Sequence, residues 1–328
     1  MTKRLKARFL VILLIFGISI SGFADTPTLK QVQNGVDNFS STLAKSLPFN
    51  SSLGLNWSDA YIGKLFPSLP PHFGIGGTFG ITTMELPAIE KLMECFDFTV
   101  PFDINKMILP AYTAEARLGG IILPFDFGFK FGYLPSLGIW GKNMDFDYLL
   151  VGGDIRYKLI DLKLFKLSAG VGFNYLRGSI SGKVGNDHEI EYGIYSMTLH
   201  SPEVKLEWES KAVDFKAQAS LHLFIITPYI GIGASYAKSS AGYSINAKID
   251  HNSGGGKQEV QDYLKANGLS GLSISGAGMS SIMDNKGFSV RTFGGLSLNL
   301  ALFRIDVTAL YNFNDQNYGA SLGFRFQL

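Results

Sequence analysis

Apolar and polar positions alternate with a period of two over much of the chain between residues 72 and 328. In "PFDFGFKFGYLP", Phe125, Phe127, Phe129, Phe131 and Tyr133 share one face, and Asp126, Gly128, Lys130 and Gly132 the other. "KLSAGVGFNYLRG" sets Leu167, Ala169, Val171, Phe173 and Tyr175 against Ser168, Gly170, Gly172 and Asn174. "FRIDVTALYNFN" opposes Phe303, Ile305, Val307, Ala309 and Tyr311 to Arg304, Asp306, Thr308 and Asn312. A strand with lipid on one face and a lumen on the other has this pattern, and needs roughly 9–11 residues to cross a bilayer. About twelve such strands are expected: 72–84, 110–123, 125–134, 146–160, 163–180, 189–199, 203–210, 212–225, 228–242, 287–300, 302–313 and 317–328. The even count places Pro202 in a turn.

The spacing between these runs supports the same architecture. With the last strand running inward, short turns fall at 123–125, 160–163, 199–203, 225–228 and 300–302. The other side receives the long connections 85–109, 135–145, 181–188 and 243–286, with short ones at 211 and 314–316. Short periplasmic turns and longer outer loops are the rule for bacterial barrels. A soluble barrel also alternates, but its outward face must be polar. Here the polar positions are mostly Gly and Ser, and the bulky side chains are apolar. The fold class expected is an all-β transmembrane antiparallel β-barrel with a short N-terminal helical segment.

Composition and the chain ends add to this picture. "MTKRLKARFLVILLIFGISISGFAD" has the basic start, apolar run and small-residue exit of a secretory signal peptide, expected to be cut after Ala24. Without its Lys3, Arg4, Lys6 and Arg8, the formal net charge of +2 becomes −2, so the basic balance of the whole chain is no argument for nucleic acid, and no nucleic-acid partner is expected. The single Cys95 excludes an intrachain disulfide framework. The organisation expected is a signal at 1–24, a periplasmic or plugging segment at 25–71 and the barrel at 72–328. In the middle segment, Leu29, Val32, Val36, Phe39, Leu43 and Leu47 recur at helical spacing, predicting an amphipathic helix over about 28–47. Such a helix fits the lumen, the periplasmic face or a partner.

The closing "SLGFRFQL" resembles the C-terminal insertion signal of bacterial outer-membrane barrels, through polar Ser321, Gly323, hydrophobic Phe326 and terminal Leu328. That pattern usually ends in an aromatic residue, where this chain has Leu328. The resemblance implies the outer membrane of a diderm bacterium, with membrane lipid and the barrel assembly machinery as partners. A helix-bearing N-terminal segment ahead of a barrel is also similar in architecture to the long-chain fatty-acid transporter family, whose Asn-Pro-Ala hatch motif is absent from residues 25–71.

The inward positions carry both charges. Acids are Glu115, Asp126, Asp154, Glu203, Glu207, Asp214 and Asp306; bases are Arg117, Lys130, Arg156, Lys158, Lys205, Lys216, Arg291, Arg304 and Arg325. Two readings follow: a polar pore selective through such residues, or an internal salt-bridge network around a shut lumen. Two outer loops carry predicted helices, near Ala88–Cys95 and in "KQEVQDYLKANG". His72, His188, His200, His222 and His251 have no metal-ligand spacing, and "GSISGKV" is one residue short of a phosphate loop. No catalytic site, metal or cofactor is expected. The function expected is a passive channel or transporter for small solutes. The alternatives are a plugged structural or surface-binding barrel, or a transporter of hydrophobic, lipid-like compounds.

Overall fold

The computed structural model describes residues 29–62, 72–85, 106–120, 124–134, 144–183, 188–192, 195–199, 203–246, 249–251, 262 and 279–328. Helix α1 spans Leu29–Ser51. The strands are β1 His72–Glu85, β2 Lys106–Gly119, β3 Phe125–Leu134, β4 Met144–Asp161, β5 Phe165–Lys183, β6 His188–Tyr192 and β7 Tyr195–Leu199. They continue with β8 Glu203–Leu221, β9 Ile226–Asn246, β10 Ile249–His251, β11 Met279–Leu300, β12 Phe303–Asn312 and β13 Asn317–Gln327. Ten of them close an antiparallel barrel in the order β1-β13-β12-β11-β9-β8-β5-β4-β3-β2. Closure pairs the last strand with the first, Phe326 opposite Ile75 and Ala320 opposite Ile81, and removes the open edge that lipid does not tolerate.

The count is ten rather than about twelve, and the reason lies around Pro202. The run 189–199 is not a barrel strand: β6, β7 and β10 form a separate three-stranded sheet. The runs 203–210 and 212–225 are one strand, β8, paired to β5 and β9 along its length. The predicted helix near Ala88–Cys95 lies outside the described residues, as do the signal segment and all but Asp262 of the predicted helix after Lys257.

The wall is uneven in height. Strands β4, β5, β8, β9 and β11 run 18–22 residues, whereas β3, β12 and β13 have 10–11. A crossing needs about 9–11, so the tall strands extend beyond the apolar belt at the end where the long connections lie. There the alternation reverses its sense. Along β8, outward Val213 and Phe215 give way to outward Glu203, Lys205, Glu207, Glu209 and Lys211, while inward Lys216 and Asp214 give way to Trp208 and Leu206. Glu203, Lys205 and Glu207 therefore point away from the lumen, against the sequence expectation. An outward side chain facing water is polar, and its neighbour facing a packed interior is apolar. The same rule yields opposite patterns at the two heights.

What fills the interior is the N-terminal segment. At the tall end, Leu43, Leu47, Phe49 and Leu53 form one apolar cluster with Leu150, Leu176, Leu206, Tyr243, Phe293 and Leu310 from the wall. Below it, residues 52–62 descend the lumen as an irregular extended chain, all buried. The segment thus enters at the long-connection end and leaves at the short-turn end, where His72 starts β1 and meets the carbonyl of Leu328 at 3.0 Å.

Candidate functional site: the occupied lumen

An extended chain with no strand partner must satisfy its backbone elsewhere. Here wall side chains do so. Lys130 Nζ donates to the carbonyls of Ser51 at 2.7 Å and Leu53 at 2.6 Å. Lys216 Nζ reaches Leu55 O at 3.0 Å, Gln218 Nε2 reaches Trp57 O at 2.6 Å, and Arg156 reaches Asp59 O at 2.7 Å. Lys166 Nζ ends the series at Tyr61 O, 3.0 Å away. Every second residue from Ser51 to Tyr61 thus presents its oxygen to this basic side of the wall, across the left-handed turn at Gly54 and Leu55 with φ of +84° and +57°, and Ser58 O also accepts from Gln218 Nε2 at 3.2 Å. The amides of Ala60 and Ile62 donate to Ser220 Oγ and Asp126 Oδ2, both at 3.1 Å.

Two side chains of the segment anchor it further. The Trp57 ring lies between the guanidinium groups of Arg117, 5.6 Å from the ring centre, and Arg325, at 4.7 Å. Its indole N–H donates to Glu115 Oε2 at 2.6 Å. Desolvated cation–π contacts of this kind contribute up to about 2 kcal/mol each. Gly74 makes room for the ring, since a Cβ there would fall 2.6 Å from it. Asp59 meets Arg304 and Arg325 at 3.0 Å and His222 Nε2 at 2.6 Å. Its carboxylate thus meets two guanidinium groups and an imidazole inside the lumen.

The remaining charges pair within the wall. Arg117 bridges Asp126 and Asp154, each at 2.7 Å, and Arg156 closes on Asp126 at 2.7 Å. Lys216 joins Asp154 at 2.5 Å. Arg291 grips both oxygens of Asp214 at 2.7 Å, and Arg325 holds Asp306 at 2.8 Å. Breaking one such buried pair costs about 3–5 kcal/mol, because a desolvated charge is left alone. Pre-organised by the sheet, these groups form one connected surface for the segment to sit on.

The sequence-based candidates Arg117, Lys130, Arg156, Arg291, Arg304, Arg325, Glu115, Asp126, Asp154 and Asp306 all face the interior. They line no free passage among the described residues. Each is engaged with another wall residue or with the segment, and all but the half-shielded Arg304 are buried. Two voids are left beside the segment, near Lys130 and near Trp57, of about 10 Å³ each, the room one water needs. Missing from the candidate set were Trp57 and Asp59, which lie in a stretch without periodicity, and His222, which falls in a turn. Their signal was chemical: "NWSDAY" puts an indole, a carboxylate and a phenol in a segment that has nothing to do in water. Of the closing residues, Ser321 and Gly323 face inward. Phe326 packs on Phe73 and Phe303 at ring separations of 6.4 and 5.7 Å, and the amide of Leu328 donates to Phe73 O at 2.9 Å.

The family model described as Lsa36-like matches residues 97–328, from ahead of β2 to the end of β13. The chain belongs to the Lsa36-like family. The match starts after α1, the luminal chain and β1, so the segment that fills the lumen lies outside it. No curated protein matches the sequence. Among solved structures, the chain is similar to the outer membrane protease OmpT from Escherichia coli, with 9% identity over 79% of this chain and 96% of that one, TM-score 0.41. It is also similar to the attachment invasion locus protein Ail of Yersinia pestis, with 10% identity over 79% and 97%, TM-score 0.29. A third is the translocator domain of the autotransporter NalP from Neisseria meningitidis, with 7% identity over 90% and 98%, TM-score 0.34.

Proposed function

We propose that this protein is an outer-membrane barrel sealed by its own N-terminal segment, and that it serves as a rigid scaffold holding its long connections at the cell surface. One observation carries this reading over the open channel: residues 46–62 are buried inside the barrel, and Lys130, Lys216 and Arg156, basic groups suited to select ions, are bound to that segment's carbonyls. In this reading the short-turn end faces the periplasm, membrane lipid surrounds the belt, and the assembly machinery engages the last strand.

The test is conductance in a planar bilayer, using the full-length mature chain, a variant lacking residues 29–62, and Trp57→Ala/Asp59→Asn, which keeps the wall intact. Silence from the full chain, with current steps in either variant, is the expected result. Steady steps from the full-length protein would overturn the sealed reading and restore the passive channel. Protease cleavage in the 247–278 connection on intact cells checks which end faces out.

A further inference from the structure

The belt ends unevenly around the barrel. On β5, β8, β9 and β11, which are consecutive in the sheet, the outward residues are mainly apolar up to one position and mainly polar beyond it, with Ile282 on β11 an exposed exception. The last apolar ones are Tyr175, Val213, Tyr236 and Phe288, and the first polar ones are Arg177, Lys211, Lys238 and Lys286. All four of those are cations. Three are direct cross-strand neighbours, Lys211 opposite Lys238 and Lys238 opposite Lys286.

That register is unfavourable by itself. Side chains directly opposite each other in an antiparallel pair lie about 4.5–5.5 Å apart at Cβ, and like charges there destabilise the sheet. Acids relieve the row only in part. Glu209 holds Lys211 at 2.7 Å, and Asp284 lies one outward step beyond Lys286. For Lys238 and Lys286 no ion pair occurs among the described residues. Aromatic rings sit under the row: Lys211 Nζ lies 5.7 Å from the centre of Tyr175, Lys286 Nζ lies 5.9 Å from that of Tyr236, and Tyr236 and Phe288 pack at 4.8 Å. Long cationic stems can cover such rings while the ammonium groups stay at the level where hydrocarbon gives way to headgroups.

We infer that Lys211, Lys238 and Lys286 form a docking site for the phosphate of an outer-leaflet lipid headgroup. A phosphate placed over the row accepts hydrogen bonds from several ammonium groups at once and removes their mutual repulsion, while the acyl chains lie along Val213, Phe215, Ile232 and Val290 below. Hydrophobic contact and charge thus recognise the two parts of one ligand. The inference rests on the membrane-barrel reading proposed above, and uses a part of the wall that the luminal segment does not touch.

The probe is phosphorylated lipid A, bound to the full-length protein in detergent micelles and counted by native mass spectrometry. The three proteins compared are the wild type, Lys211→Gln/Lys238→Gln/Lys286→Gln, and a control with Lys205→Gln, which lies further out. Heat-modifiable mobility on gels and insertion into lipid vesicles establish in each case that the barrel is formed. Surface lysines contribute roughly fivefold each to binding of anionic headgroups, so the triple variant is expected to bind at least about 25-fold more weakly, allowing for Lys211 being paired to Glu209. Retention in the control and in the corresponding triple Arg variant is expected. Equal retention by the triple Gln variant, or equal binding of dephosphorylated lipid A, overturns the inference and leaves the barrel reading standing. Displacement of the lipid by inorganic phosphate at matching concentration shows a soluble-anion site instead and also overturns it. Failure of the wild type to enter vesicles removes both.

Discussion

Replacing Asp59 by Asn should loosen the luminal segment without opening the wall. Its carboxylate is buried and lies within 3.0 Å of Arg304 and Arg325 and 2.6 Å from His222. Asn keeps the shape and one acceptor but removes the charge. Losing one partner of a buried ionic group costs about 3–5 kcal/mol. Two features place this case at the lower end. Arg325 retains Asp306 at 2.8 Å, and the partly exposed Arg304 retains Asn299 Oδ1 at 3.1 Å. About 3 kcal/mol corresponds to roughly a hundredfold rise in the unseated population. Hydrogen exchange followed by mass spectrometry reads this directly, because the amides of Ala60 and Ile62 are held only by Ser220 and Asp126 side chains. Exchange across 52–62 should accelerate about a hundredfold, while the ladders of β8 and β9 keep their protection. Unchanged exchange in 52–62 would refute the claim that Asp59 latches the segment. Equal acceleration throughout the barrel would refute the claim that the effect is local.

Further outcomes follow from the same geometry. Gly54 has φ of +84°, and a Cβ there would lie 2.7 Å from Thr113 Oγ1 and 2.8 Å from Glu115 Oε1. Gly54→Ala should cost about 1–2 kcal/mol from the backbone alone, whereas Gly287→Ala, where an added Cβ meets nothing, should leave thermal unfolding nearly unchanged. Asn38 is exposed on α1 toward the long-connection end, so Asn38→Cys in a Cys95→Ser background should react with a membrane-impermeant thiol reagent on intact cells. Labelling only after the outer membrane is broken would reverse the orientation.

The β-class, the closure by "SLGFRFQL" and the inward faces of Asp126, Lys130 and Arg291 are legible in the sequence, because each depends on a period of two read over a single strand, whereas Glu203, Lys205 and Glu207 were assigned to the wrong face. Phe125 to Tyr133 and Tyr318 to Leu328 announce their outward faces without help from any neighbour. The strand count failed at 203–210, where Leu206 and Trp208 turn inward and Glu207 and Glu209 outward. Alternation tells two faces apart but does not say which is which, and a change of surroundings from lipid to water exchanges them. The helix was visible as a stripe, Leu43 and Leu47 among its members, but a stripe specifies only that something apolar must cover it. That the cover is Leu150, Leu176, Leu206 and Phe293 of the barrel interior was decided by tertiary structure. So was the role of Lys130, Lys216 and Arg156: as luminal cations they suit a pore or a lock equally well. Their use as hydrogen-bond donors to residues 51–59 depends on a chain some 70 to 160 positions away, a pairing with no local trace in sequence.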